Sequence, residues 1–444
     1  MLELEVVPGR SLGCDRWELI LGMHLSQAIA LLQQEVEQIK EVEVSYSESN
    51  PLESDLLLCL TQDGIKLHFD ALKQRLKIIE IFNLKKLQLR YCDTVFNDCD
   101  VAPNIEMIDH AFGPTHPGVY DAERQLFTLS FRGLCFYFPV DAKYQPQYAH
   151  GLGSFQFPNG ASPNVVKLFI FSGSGSNLNQ AEVPDIPLCC FTSAPILDKC
   201  VVDRDQDSTR GVDLDLLVED LSSPLLQRTA IKTIHVRLEF GDHCQSVLSK
   251  LGAPSKVFYK HEDKMRIHSI PNCNSTTSAG HLRSSGGSVT TPVAGSSQQQ
   301  HQSDYFFNYF TLGIDLLFDA VTNRAKKFVL HTNFPGHYDF NVYNRCDFHL
   351  HLIPTGTEFS RDRGSGGRGT SVSRSPSLLE VTALTKWENL SECIKASSRP
   401  VVLNRANSSS AGNPFGSTFC YGYQDLIFEI MPNGHIASLT IYQQ

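Results

Sequence analysis

A repeat constrains this chain more than any other feature of its sequence. Residues 64–71 read GIKLHFDA, and residues 313–320 read GIDLLFDA. Glycine, isoleucine, leucine, phenylalanine, aspartate and alanine return in register, 249 residues apart. Ile65, Leu67 and Phe69 alternate with polar residues, the period of a half-buried strand. Gly64 and Gly313 stand where a tight link needs a positive φ. Upstream, LGMHLSQAIALL (21–32) resembles FGDHCQSVLSKL (240–251), with Gly22, His24 and Leu32 matching Gly241, His243 and Leu251. Ala28, Ile29, Leu32, Val36 and Ile39 share one helical face, as do Cys244, Val247, Leu248 and Leu251. Asp242 and Gln245 have the spacing of a capping box.

Each predicted helix leads into a meander of strands: 42–47, 55–61, 65–70 and 76–82 after the first, and 255–260, 304–311, 314–319 and 326–332 after the second. Arg75 and Lys77 match Arg324 and Lys326. Two fainter units follow. One starts at the helical pattern of residues 104–113 and the other at 385–394, each with strands behind it. The predicted fold class is α+β: repeated helix plus antiparallel β-meander units in two lobes, with disordered loop insertions. The expected division is an N-terminal lobe 1–141, a strand-leaning middle segment 142–233 and a C-terminal lobe 234–444. Insertions 269–303 and 355–377, and a shorter one near 404–413, lack large apolar residues and are expected to be disordered.

A hydrophobic content of 41% is enough to bury real cores. The net charge of −10 argues against non-specific nucleic-acid binding, which needs a basic face. The opening MLELEVVPGR has no apolar signal core, and no window approaches the roughly 18 apolar residues of a spanning helix. A soluble, cytoplasmic chain is expected. Its 13 cysteines are odd in number and lack a CxxC pair, which points to reduced thiols.

Walker A, GxSxG, HExxH and complete GxGxxG motifs are all missing. Asp203, Asp205 and Asp207 fall on the first acidic positions of a calcium loop, but Ser208 stands where glycine belongs and Leu214 where the closing glutamate belongs. A solvated acidic loop is the expectation. His331, His337, His349 and His351 can be drawn with Cys346 as a zinc set, at a spacing that fits no standard pattern. The same stretch carries Phe334, His337, Tyr338, Phe340 and Tyr343. These read either as core packing around a turn at Pro335-Gly336 or as an aromatic partner-binding surface. No catalytic, cofactor-binding or metal residues are assigned.

Several long strings carry a resemblance. MLELEVVPGRSLG, LTQDGIKLHFDALKQRLKIIEI, FGPTHPGVY, DYFFNYFTLGIDLLFDA, KKFVLHTNFPGHYDFNVYNRCDF and NPFGSTFCYGYQDLIFEIM together resemble the phagosome assembly factor 1 family nearly end to end. The resemblance implies a non-enzymatic regulator or scaffold of autophagy at the forming autophagosome, recruited to the preautophagosomal structure. It implies a complex with a phosphoinositide-binding β-propeller protein, so that membrane contact is largely indirect, with no small-molecule substrate and no cofactor. Traffic from the Golgi to the plasma membrane is the alternative within the family. A Cys/His hydrolase or metal-dependent enzyme, and direct lipid binding, remain open from the residues.

Overall fold

The computed structural model describes the chain except residues 114–117, 142–146, 149–154, 157–162, 174–177, 192–193, 206, 221–230, 261–302, 354–377, 392, 395–398, 405–414 and 444. Insertion 355–377, insertion 269–303 apart from Ser303, and most of 404–413 lie outside the described residues.

The first half opens with β1 (Leu2–Val7), β2 (Ser11–Gly13) and β3 (Glu18–Ile20). Helix α1 (Leu25–Gln34) leads into β4 (Val42–Ser45), β5 (Leu56–Leu60), β6 (Ile65–Phe69) and β7 (Leu76–Ile81). Then come β8 (Leu87–Tyr91), β9 (Thr94–Asn97) and α2 (Ile105–Phe112). Strands β10 (Val119–Asp121), β11 (Leu126–Phe131) and β12 (Leu134–Pro139) follow, and after a minimal hairpin, β13 (Gln147–Tyr148) with β14 (Phe155–Gln156), the half closes with β15 (Lys167–Phe171).

The second half runs through β16 (Ile196–Arg204), β17 (Thr209–Glu219), β18 (Ile231–Glu239) and α3 (Cys244–Leu251). Next are β19 (Lys256–Tyr259), β20 (Tyr305–Tyr309), β21 (Ile314–Phe318) and β22 (Ala325–His331). It ends with β23 (Phe348–Leu352), β24 (Leu379–Thr382), α4 (Trp387–Ser391), β25 (Val401–Leu403), β26 (Thr418–Tyr423), β27 (Leu426–Ile430) and β28 (Ile436–Tyr442).

Four larger sheets result. The first half has a five-stranded sheet, β3-β2-β1-β8-β9, and an eight-stranded one, β10-β11-β12-β15-β7-β6-β5-β4. The second half has β18-β17-β16-β23-β24 and β19-β20-β21-β22-β28-β27-β26-β25. The strand orders of the two halves correspond throughout. Pairing is antiparallel except for β1 with β8 and β16 with β23, one parallel pair per half. The α+β expectation is corrected in weight: the chain is mostly β, in two repeat-like lobes, and its four described helices are short. Residues 142–233 contribute β15 to the first large sheet and β16 and β17 to the second small one.

Each half buries its own large apolar cluster. Leu58, Ile65, Leu67, Phe69 and Ile79 are central in the first, and Ile314, Leu316, Phe318, Phe328 and Leu330 in the second. The two glycine links have φ of 73° and 68°. A Cβ on Gly64 would stand 2.5 Å from Asn83 Cβ, and one on Gly313 would stand 2.4 Å from the Asn344 carbonyl oxygen.

Two local expectations change. The N-cap of α3 is His243, whose ring accepts from the Gln245 amide at 3.3 Å, while Asp242 accepts from Lys250. The apolar run 28–39 does not stay helical: α1 stops at Gln34, and Val36 is left 63% exposed.

Candidate functional site

One connection differs between the two halves. Between β7 and β8 the chain spends only residues 82–86; between the corresponding β22 and β23 it spends 332–347. That longer connection is the aromatic and histidine-rich stretch, and its polar groups reach into the first half. Gln74 Nε2 donates to the Asn333 carbonyl and Asn333 Nδ2 donates to Gln74 Oε1, both at 2.8 Å. Arg345 Nη1 donates to the carbonyls of Ala71 (2.9 Å) and Leu72 (2.7 Å), while its Nε donates to Thr332 (2.8 Å). The Ser26 hydroxyl donates to Asn344 Oδ1 at 2.6 Å. The connection is therefore the seam between the halves.

The five residues read as an aromatic surface divide accordingly. Phe334 is fully buried, with the Arg345 guanidinium 4.7 Å above its ring and the His435 ring 4.5 Å away. His337 is buried; its Nδ1 accepts from the Asp339 amide, which leaves Nε2 to donate to Glu429 Oε1 at 3.4 Å. Tyr343 is buried and stacks on His331 with centroids 3.8 Å apart. Phe340 packs against the core of the first half. Only Tyr338 among them is largely solvent-facing, at 44%. Of the five, Phe334, His337 and Tyr343 are thus packed inside the folded chain, and Tyr338 offers the most surface to a partner.

Beside this seam lies a groove of ≈ 510 Å³ over the second eight-stranded sheet, with Phe258, Phe306 and Phe310 among its walls and Tyr338, Val342 and Tyr343 along one side. Its floor is polar. Asp315 Oδ1 accepts from Asn308 Nδ2 (2.7 Å), and its Oδ2 accepts from the Tyr343 hydroxyl (3.0 Å) and lies 2.9 Å from His331 Nε2. Glu429 accepts from the hydroxyls of Thr418 (2.7 Å) and Ser438 (2.8 Å). Burial first, then the Asp315 carboxylate, pushes the Tyr343 phenol well up. Burial, reinforced by Lys260 and Lys326, lowers the Lys327 ammonium. Each hydroxyl shares its carboxylate with other donors, which fixes the orientation of these side chains on the sheet.

The other sequence candidates disperse. His331 and His337 serve different carboxylates, and His349 pairs with Glu380 at 2.8 Å. No group of three or more potential metal ligands forms among the described residues. Asp203 pairs with Arg237, Asp205 with Arg210 at 2.6 Å, and Asp207 accepts from Gln424 at 2.6 Å. No disulfide links any of the twelve described cysteines. Burial raises the thiols of Cys135 to about 11 and Cys190 to about 12, the opposite of what a thiolate nucleophile needs. Gln74, Asn333 and Arg345, which join the halves, carried no signal in the sequence: an isolated polar residue does not announce a partner hundreds of positions away.

Comparison with known proteins adds the deciding observation. The family profile described as phagosome assembly factor 1 matches residues 15–281 and 288–442. The chain belongs to the phagosome assembly factor 1 family. A Drosophila melanogaster relative, PHAF1 protein CG7083, is 49% identical over 443 residues, covering 100% of this chain and 94% of the relative. PHAF1 protein T01G9.2 of Caenorhabditis elegans is 32% identical over 448 residues, covering 99% and 94%. PHAF1 protein At3g51130 of Arabidopsis thaliana is 32% identical over 432 residues, covering 95% and 90%. No solved structure matches. The phagosome assembly factor 1 family is named for assembly and not for a reaction. No described helix is long and apolar enough to cross a membrane.

Proposed function

We propose that this protein is a non-enzymatic scaffold in autophagy, acting at the forming autophagosome in a complex with a phosphoinositide-binding β-propeller protein. The observation that carries the reading is the match to an assembly-factor family along nearly the whole chain. The acidic balance, with a net charge of −10, supports membrane contact through the partner rather than through a basic face of this chain. The hydrogen bonds across the seam, between Gln74 and Asn333 and from Arg345 to Ala71 and Leu72, support a two-half body held in one arrangement, the form a scaffold needs to present distant surfaces in fixed relation. Recruitment from the cytoplasm to the preautophagosomal structure is part of the same proposal.

The test is reconstitution. The purified full chain and the β-propeller protein are mixed with vesicles containing a phosphoinositide. The expected result is co-elution of the two proteins, and flotation of this chain only when the propeller is present. Failure of the pair to associate, or flotation of this chain alone to the same extent, overturns the proposal.

A further inference from the structure

Strand β4 is the outermost strand of the first eight-stranded sheet. It pairs with β5, Val42 to Ser45 against Leu60 to Leu57, and with no other strand among the described residues. All four of its residues are exposed. An open edge is a template for a further strand, and proteins commonly shield such edges with charge. Glu41 and Glu43 supply charge here, but shielding does not account for what lies beside them.

A groove of ≈ 550 Å³ runs along the edge. One wall is Ile29, Leu32 and Val36; the other is Val42 and Val44, with Phe340 of the seam at one end. Val36, Val42 and Val44 remain 63%, 39% and 44% exposed. The cause is local: α1 ends at Gln34, so Val36 leaves the packed helical face and turns toward the strand instead of the core. Asn341 also lines the groove, and its buried Oδ1 has no hydrogen-bond partner.

The surrounding charge is one-sided. Within residues 35–55 the only cation is Lys40. Glu35 and Asp55 are neutralised by Arg16 at 3.3 Å and Lys77 at 3.8 Å. Glu37, Glu41, Glu43, Glu48 and Glu53 have no ion-pair partner among the described residues. On β4 the valines face the groove, and Glu43 and Ser45 face the other way, by the period of two.

We propose that β4 and its groove dock an extended segment of a partner protein in which apolar residues alternate with lysine or arginine. The segment adds as a ninth strand. Its apolar side chains lie opposite Val42 and Val44 and enter the groove, and its basic side chains lie opposite Glu43 and near Glu41. Backbone hydrogen bonds supply affinity, and the alternation with the acidic collar supplies selection. The assignment stands on this surface alone: it can fail with the β-propeller complex intact, and it can hold if that complex does not form.

The test uses the full chain and three sets of fluorescein-labelled ten-residue peptides: alternating valine or isoleucine with lysine or arginine, the same peptides with glutamate for each base, and the same with a central proline. Anisotropy is read at low and high salt, and hydrogen exchange is followed at residues 42–45. The expected result is saturable, salt-sensitive binding of basic peptides, at least about tenfold tighter than either control set. The amides of β4 become protected, and the E41K/E43K double variant loses about tenfold in affinity with unchanged thermal melting. No saturable binding, equal binding of acidic peptides, or binding without protection of β4 overturns the proposal. So does a dimer, seen by sedimentation, that the E41K/E43K change abolishes, because a second copy would then be the occupant. The peptide controls use the unaltered protein, so a variant that misfolds leaves the comparison decisive.

Discussion

Gln74 and Asn333 exchange side-chain and backbone hydrogen bonds across the seam between the two halves, 259 residues apart in the chain. Both are buried, and both hold a left-handed backbone, with φ of 52° and 51°. Removing either amide strands a buried polar group of the other.

The pair is expected to couple energetically. Gln74→Ala should cost about 1–3 kcal/mol in urea unfolding. The double variant with Asn333→Ala should cost less than the two single costs together, by at least about 0.5 kcal/mol. Strict additivity in that cycle would show that the two amides act independently.

The glycine links predict an asymmetry between two positions of similar φ. Gly241 has φ of 84° with nothing near its absent Cβ, while Gly313 at 68° faces the Asn344 carbonyl and the Cys346 amide nitrogen. Gly241→Ala should cost about 1–2 kcal/mol, the backbone strain alone. Gly313→Ala adds a clash with the backbone of the seam and should cost clearly more. Equal melting temperatures for the two variants would contradict this.

Glu80 predicts an acid dependence. Burial opposes its ionisation, but hydrogen bonds from His68 (3.0 Å) and Lys167 (2.7 Å), with the charges of Lys167 and Lys66, hold the carboxyl at about 2. The folded value lies below the ordinary 4.5. The stabilisation is therefore complete above pH 4.5 and is lost as pH falls through about 2. Glu80→Gln should cost about 1–3 kcal/mol at pH 7, given the partial exposure of Lys167, and should flatten the stability profile between those limits. Urea titrations across that range read both effects.

His435 predicts a second window. Burial first, then Lys386 and Arg345, lower its ring from 6.5 to about 4, and neither ring nitrogen has a hydrogen-bond partner. Its contribution is present above pH 6.5 and is lost as pH falls through about 4. His435→Phe keeps a ring beside Phe334 and removes the titration. Its stability relative to the parent should be higher at pH 5 than at pH 7, with part of the acid dependence persisting through His24, which burial also lowers to about 4.

Phe334 and Tyr338 separate packing from surface. Phe334→Ala should destabilise by about 3–5 kcal/mol, since it empties a fully buried site. Tyr338→Ala should stay within about 0.5 kcal/mol. A partner-binding loss in Tyr338→Ala with unchanged melting would locate a contact on the exposed side of the seam. The same loss in Phe334→Ala would follow from unfolding.

Much of the strand pattern was legible. The meander predicted at 42–47, 55–61, 65–70 and 76–82 corresponds to β4 through β7 within a residue or two, and 255–260 through 326–332 corresponds to β19 through β22 in the same way. Alternation and glycine links are local signals, so they survive in a single sequence. The helices were less legible. Val36 fits the helical face of α1 by spacing, yet the helix ends before it. The aromatic stretch was legible as unusual but not as internal, because Phe334 looks the same in sequence whether it faces a partner protein or the other half of its own chain.

Period, turn and face therefore came from the sequence alone, because each depends on neighbours within a few residues. Lys66 and Asp315 occupy matching places in the repeat, and the sequence already separated the retained buried face from the altered polar one. Only the tertiary structure decided what those polar residues do: Lys66 lies 3.9 Å from Glu80, whereas Asp315 is enclosed by Asn308, His331 and Tyr343. It also decided that β1 joins β8 and β16 joins β23 in parallel, and that residues 332–347 bind the halves together. Those pairings are set by closure of long loops and by mutual burial of surfaces distant in the chain, which no local spacing records.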